Sequence, residues 1–232
     1  MPLDLTTPIS YLITDGRTTR DTTSASTEFT RLFALVGACV LARIALIQLR
    51  EKRLRPRVLY ELARRAAELT RGTQTRLLIN DRADIALAAG ADGVHLTTRS
   101  LDPLVVRRIA PRDFLIGVST HTLSEAQTAS ASDADFAVFG PVFDTPAKHA
   151  GDAPPPPPPL PPPPGLEGLR EAALALAPFP LVALGGVTRE SIRPVIQAGA
   201  QGIAAIRLFS DESELEAVVN ELRESRAGYT SR

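Results

Sequence analysis

Eight short, β-rich apolar runs are spaced along the chain, and helix-forming stretches fill the intervals between them. The runs cover residues 11–14, 45–49, 76–79, 93–96, 114–118, 136–139, 181–184 and 202–206. None alternates cleanly between apolar and polar residues, which is the pattern of parallel strands covered on both faces. Between them, residues 55–71 place Val58, Leu59, Leu62, Ala66 and Leu69 on one helical stripe. Residues 188–198 open on a capping-type Thr188 and stop at Gly199, a suitable C′ glycine. Residues 211–226 open on Asp211 with acidic residues in the first turn, which suits the helix dipole. Strand and helix repeating eight times predict an α/β fold, a (β/α)8 TIM barrel forming a single domain over 1–232. An open doubly wound sheet is the alternative, but no Gly-x-Gly-x-x-Gly follows the first run.

One segment breaks the rhythm. Residues 154–164 are six prolines, Leu160 and four more prolines. Proline fixes φ and lacks an N–H, so this stretch suits neither a barrel strand nor a helix interior. As polyproline II it would span roughly 34 Å at about 3.1 Å per residue. It is read as a proline-rich loop insertion over 153–165; an SH3-like partner is the other reading.

Composition narrows the function classes. Lys and Arg total 26, as do Asp and Glu, so no net field points to nucleic acid or an anionic membrane. A single cysteine, Cys39, excludes an intrachain disulfide and a multi-cysteine metal site. The longest uncharged apolar run, residues 32–42, falls short of the roughly 20 residues that span a bilayer. With Asp4 near the start and no basic-then-apolar leader, the chain is expected to be cytoplasmic. Only two of the basic residues are lysines, Lys52 and Lys148. In so arginine-rich a chain they mark positions where a compact, mobile ammonium serves better than a planar guanidinium.

In such a barrel the site lies where the strands end. The polar residues there are Gln48, Arg50, Glu51 and Lys52 after the second run, Asn80 and Asp81 after the third, and His95 in the fourth. Ser119 and His121 follow the fifth, Thr145 and Lys148 the sixth, and Gly185-Gly186 the seventh. Arg50 can fork onto phosphate oxygens while the lysines act as point charges. Asp81 is a hard oxygen ligand suited to Mg²⁺, although an Asn-Asp pair also suits a helix cap. Gly185-Gly186 before Thr188 offers backbone N–H groups near a helix start, where phosphates commonly bind. Each has a plainer role: Gln48 and Arg50 as barrel filling, His95 as a satisfied buried histidine, His149 as a surface residue. Their convergence on one end of one barrel favours two anion sites.

These motifs resemble the thiamine-phosphate synthase and thiazole tautomerase family. The resemblance is carried by residues 11–15 (YLITD), 47–52 (IQLREK), 78–82 (LINDR), 88–96 (AAGADGVHL) and 116–121 (IGVSTH), and by 135–142 (DFAVFGPV), 183–186 (ALGG) and 198–206 (AGAQGIAAI). It implies a synthase that joins hydroxymethylpyrimidine diphosphate to thiazole phosphate and releases pyrophosphate. It also implies roles. Gln48, Arg50, Lys52, Asn80, Ser119 and Lys148 would hold the pyrimidine diphosphate, and Asp81 would hold Mg²⁺. Thr145, Gly185, Gly186, Ile206 and Arg207 would surround the thiazole phosphate, with Lys148, Ser119 and His121 as the catalytic groups. The partners implied are small phosphorylated substrates, with homo-oligomerisation left open.

The chain departs from the family pattern in three places. Ser100 stands where a second metal-binding aspartate is expected, Ala147 replaces a frequent threonine, and Arg207 replaces a serine. Ser100 weakens the expected magnesium site. It favours the alternative of a tautomerase that isomerises thiazole phosphate with His121 as proton carrier. A barrel that binds thiamine precursors without turnover is the third reading.

Overall fold

The computed structural model describes Leu3 and residues 5–144 and 162–227. Eight parallel strands close into a barrel in chain order: β1 (Ile9–Ile13), β2 (Leu46–Leu49), β3 (Arg76–Asn80), β4 (Gly93–Leu96), β5 (Leu115–Thr120), β6 (Phe136–Phe139), β7 (Leu181–Leu184) and β8 (Gly202–Ala205). The helices are α1 (Thr27–Leu41), α2 (Pro56–Thr70), α3 (Ala83–Ala89), α4 (Pro103–Ile109), α5 (Leu123–Ser130), α6 (Gly165–Leu176), α7 (Ile192–Gln197) and α8 (Leu215–Ala227). The expected barrel is therefore the observed one. No helix among the described residues is long and apolar enough to cross a membrane; the apolar run 32–42 lies mostly in α1, where Leu32, Val36 and Cys39 are buried.

Successive strand residues point to opposite faces, and each face buries its own apolar set. Tyr11, Leu46, Leu78, Leu115, Phe136, Val138, Val182 and Ala204 fill the lumen. Ile47, Leu49, Leu77, Ile79, Val94, Ile116, Ala137, Ala183 and Ile203 face the helices. This double burial explains why the runs did not alternate in sequence.

Several boundaries differ from expectation. In α2 the buried face is Leu59, Leu62, Ala63, Ala66, Ala67 and Thr70. Leu69 sits at its edge, 38% exposed, because helical rotation carries it about 80° from the face centre. α8 begins at Leu215, not Asp211: the Asp211 carboxylate accepts from Ser213 N and Oγ at 3.0 and 2.6 Å, closing a turn ahead of the helix. Thr188 opens a 3-10 turn before α7, its N–H donating to Ser191 Oγ at 2.9 Å, and Gly199 takes the left-handed φ of +102° expected after the helix. Most of the proline-rich segment lies outside the described residues. Within it, Gly165 starts α6 and Pro164 caps that helix, so the last two residues assigned to the insertion belong to the scaffold.

Candidate active site at the barrel mouth

Strand parity gathers the predicted side chains. Two residues beyond lumen-facing Leu46 and Leu78 come Gln48 and Asn80, and two beyond Gly117 comes Ser119. The ladders set Gln48 beside Leu78, Asn80 beside His95, and His95 beside Gly117. Gln48, Asn80 and His95 are buried at the top of the lumen. Arg50, Lys52 and Asp81 continue from β2 and β3 at the same rim.

Beneath the rim runs a chain of hydrogen bonds. Gln48 Nε2 donates to Tyr11 Oη at 3.0 Å, Tyr11 Oη meets His95 Nδ1 at 3.0 Å, and His95 Nε2 meets Ser119 Oγ at 2.8 Å. The rings of Tyr11, His95 and Phe136 pack with centroids 5.8–6.2 Å apart. Gly117 makes room for them, since a Cβ there would lie 2.4 Å from Phe136 Cζ. Burial, reinforced by the positive charge of Arg50, pushes His95 down to about 3, so the ring is neutral. Burial raises the Tyr11 phenol far above its ordinary value, against the opposing hydrogen bond from Gln48. His95 is thus the satisfied buried histidine of the plainer reading.

Arg50 is fixed from behind. Its N–H donates to Thr14 Oγ1 at 2.8 Å, and Thr14 Oγ1 donates to Glu51 Oε1 at 2.6 Å. Glu51, a fully buried carboxylate, also accepts from Thr18 Oγ1 at 2.5 Å and from the N–H groups of Gly16 and Thr18 at 3.3 and 3.4 Å. Burial lowers the Arg50 guanidinium from its ordinary value, and the negative charge of Glu51 opposes that shift. Sequence reasoning gave Glu51 no role. Its partners lie 33–37 positions upstream, and only the β1–β2 pairing brings them together.

Asp81 does not cap α3. The N-cap is Arg82, whose guanidinium grips the Asp84 carboxylate at 2.8 and 2.6 Å. Asp81 takes a left-handed φ of +60°, its N–H donates to the His95 carbonyl at 2.9 Å, and its side chain is exposed at the mouth. Ser100 Oγ is engaged in its own turn, accepting from Thr97 N at 2.7 Å. Asp102 caps α4 by accepting from Leu104 N at 2.8 Å. Among the described residues, no group of three His, Cys, Asp or Glu side chains converges to hold a metal.

The opposite side of the mouth is built from backbone. Gly185 and Gly186 have φ of +99° and +66°, and a Cβ on either would lie 2.6 Å from Pro141 or Phe143. Both glycines are therefore required where the segment leaving β6 crosses the end of β7. Ile206 and exposed Arg207 follow β8, and the Arg207 carbonyl accepts from Ser210. His121 Nδ1 lies 2.6 Å from the Gly140 carbonyl. A carbonyl only accepts, so Nδ1 carries a proton and donates it to Gly140. Thr145 and Lys148 lie outside the described residues. A separate cavity of about 150 Å³, lined by Gln197, Gln201, Ser225 and Arg226 among others, lies at the opposite end of the barrel and includes none of these groups.

Residues 11–209 match the family model for thiamine monophosphate synthase. The chain is 39% identical over 224 residues to a thiamine-phosphate synthase of Methanoregula boonei, covering 97% of this chain and 93% of that one. It is 42% identical over 166 residues to a putative thiamine-phosphate synthase of Aquifex aeolicus, covering 72% and 83%. Among solved structures, a thiamine phosphate pyrophosphorylase from Pyrococcus furiosus superposes with a TM-score of 0.73 at 31% identity, covering 95% and 96%. With the matches spanning the whole barrel and its mouth, this chain belongs to the thiamine monophosphate synthase family.

Proposed function

We infer that the protein is a thiamine-phosphate synthase, a transferase that couples hydroxymethylpyrimidine diphosphate to thiazole phosphate and releases pyrophosphate. The observation that carries this reading is the family match over residues 11–209, which takes in the polar rim formed by Arg50, Lys52, Asn80, Asp81 and Ser119.

The reaction begins with cleavage of the bond between the pyrimidine methylene carbon and the diphosphate oxygen. The electron pair leaves on pyrophosphate, and the thiazole nitrogen then donates its lone pair to the methylene cation to form the new C–N bond. Negative charge grows on the leaving group, so fixed cations and donors aimed at it lower the barrier. Arg50 and Lys52 supply charge there; Lys148, which the family resemblance assigns to the same task, lies outside the described residues. Asn80 and Ser119 supply neutral donors, and Gln48 completes the pyrimidine diphosphate subsite. Gly185, Gly186, Ile206 and Arg207 form the thiazole phosphate subsite in this reading, and Thr145, assigned to it by the resemblance, lies outside the described residues.

Magnesium fits this reading through Asp81. The ion takes one or two protein carboxylates and fills its remaining positions with water and phosphate oxygens, and Asp81 presents an exposed carboxylate at the rim. When bound there, it supplies positive charge against the departing pyrophosphate. With Ser100 turned into its own loop, this reading assigns the ion to Asp81 without a partner from position 100.

The test is to incubate purified protein with both substrates, with and without Mg²⁺, and follow thiamine phosphate. Product formation supports the synthase. Isomerisation of thiazole phosphate without coupling, abolished in His121→Ala, would replace it with the tautomerase reading. Binding of either substrate without turnover would leave a ligand-binding barrel.

A further inference from the structure

The hydrogen-bond chain below the rim has a direction. Tyr11 is fully buried, so its hydroxyl must both receive and deliver within the protein. It receives from Gln48 Nε2, and among the described residues its other partner is His95 Nδ1 at 3.0 Å. The Tyr11 proton therefore goes to Nδ1, which leaves the His95 proton on Nε2. Nε2–H then donates to Ser119 Oγ at 2.8 Å. Ser119 accepts from below, so its own hydroxyl proton is available to a group bound above. The opposite direction would turn Gln48 Oε1 toward Tyr11 and put the His95 proton on Nδ1. Nε2 would then take the Ser119 proton, and Ser119 would present only lone pairs to the mouth, where a diphosphate would be repelled.

We propose that Tyr11 and His95 are positioning residues: with Gln48 they hold His95 as the Nε2–H tautomer, and that tautomer commits the Ser119 hydroxyl to donating into the barrel mouth. The proposal deepens the synthase reading and rests on it for its kinetic consequence. Neither Tyr11 nor His95 touches substrate in this scheme; both act through Ser119.

Two measurements test it. The first needs no activity. The chain has three histidines, so ¹⁵N imidazole NMR of the intact protein identifies His95 as the signal pair lost in His95→Gln. The expected result is Nε2 protonated and Nδ1 bare in the wild type, with that preference relaxed in Tyr11→Phe. A protonated Nδ1 in the wild type would overturn the proposal even if the enzyme is an active synthase. The second is a double-mutant cycle on thiamine phosphate formation, with folding checked by thermal melting. Ser119→Ala and His95→Leu should each lower kcat by about 10²-fold, the scale for loss of one preorganised donor, with KM for both substrates little changed. The double variant should be no slower than Ser119→Ala alone. His95→Gln, which keeps an amide donor, should recover part of the loss. Additive losses, or a His95→Gln variant as slow as His95→Leu, would overturn the proposal. A wild type with the expected tautomer but no synthase turnover would instead refute the reaction assigned to the site.

Discussion

Glu51 Oε1 lies 2.6 Å from Thr14 Oγ1, and the same threonine oxygen receives the backbone N–H of Arg50. Through that one hydroxyl, a buried carboxylate ties the end of β1 to the residue best suited to grip a diphosphate. Removing the carboxylate strands its donors without water. Glu51→Ala is expected to cost about 3 kcal/mol or more, lowering the melting temperature by roughly 6–12 °C in a chain of this size. Thr14→Val should cost less, since Thr18 and the backbone donors still reach Glu51. Equal melting temperatures for wild type and Glu51→Ala would remove Glu51 from the scaffold of the site.

His95 gives stability a pH dependence of known sign. Its folded-state value of about 3 lies below the unfolded value of about 6.5. The unfolded chain therefore takes up the proton first as pH falls. The contribution of neutral His95 is complete above about pH 6.5 and is lost progressively toward pH 3. At pH 5 the loss is on the order of 2 kcal/mol relative to pH 7. The difference in urea midpoint between pH 7 and pH 5 should thus be larger in wild type than in His95→Gln. Identical differences would mean that His95 titrates normally in the folded protein.

Gly117 is the space in which the aromatic layer closes. A methyl group there would meet the Phe136 ring and lie 2.9 Å from His95 Nδ1. Gly117→Ala is expected to cost about 1–3 kcal/mol by overpacking and to disturb the ring that orients Ser119. Phe136→Leu in the same chain should recover part of that stability, measured by thermal melting. A neutral Gly117→Ala would show that the layer has slack.

Cys39 is inert by construction of its surroundings. It is buried on α1, and burial, with a smaller push from the charge of Glu212, raises its thiol to about 12. Native protein at pH 8 should therefore react with a disulfide reagent at least about 10³-fold more slowly than a free thiol, and at the free-thiol rate in denaturant. Rapid native labelling would contradict the placement of α1 against the barrel.

The barrel was legible because eight runs of mostly buried strand residues alternate with helix-forming stretches along the whole chain. Their ends were less so: Asn80 and Thr120 continue strands beyond the apolar runs because ladder pairing, not hydrophobicity, carries them. Arg50, Lys52, Asp81 and Ser119 were legible because strand ends must present them at one rim. The support beneath them was not. Tyr11 reaches His95 across 84 residues, and Glu51 finds its donors across a strand pair, contacts that no local pattern encodes. Asp81 looked equally suited to capping a helix until its left-handed backbone showed Arg82 in that position.

In the proposed reaction, cations and a carboxylate at the rim hold a departing diphosphate. The most direct measurement of that hold is kcat/KM for hydroxymethylpyrimidine diphosphate, followed through thiamine phosphate, in wild type, Arg50→Ala and Asp81→Asn. A loss of about 10²-fold or more is expected in each variant, with the Asp81→Asn deficit partly relieved by raising Mg²⁺. Folded variants that turn over at the wild-type rate would contradict it.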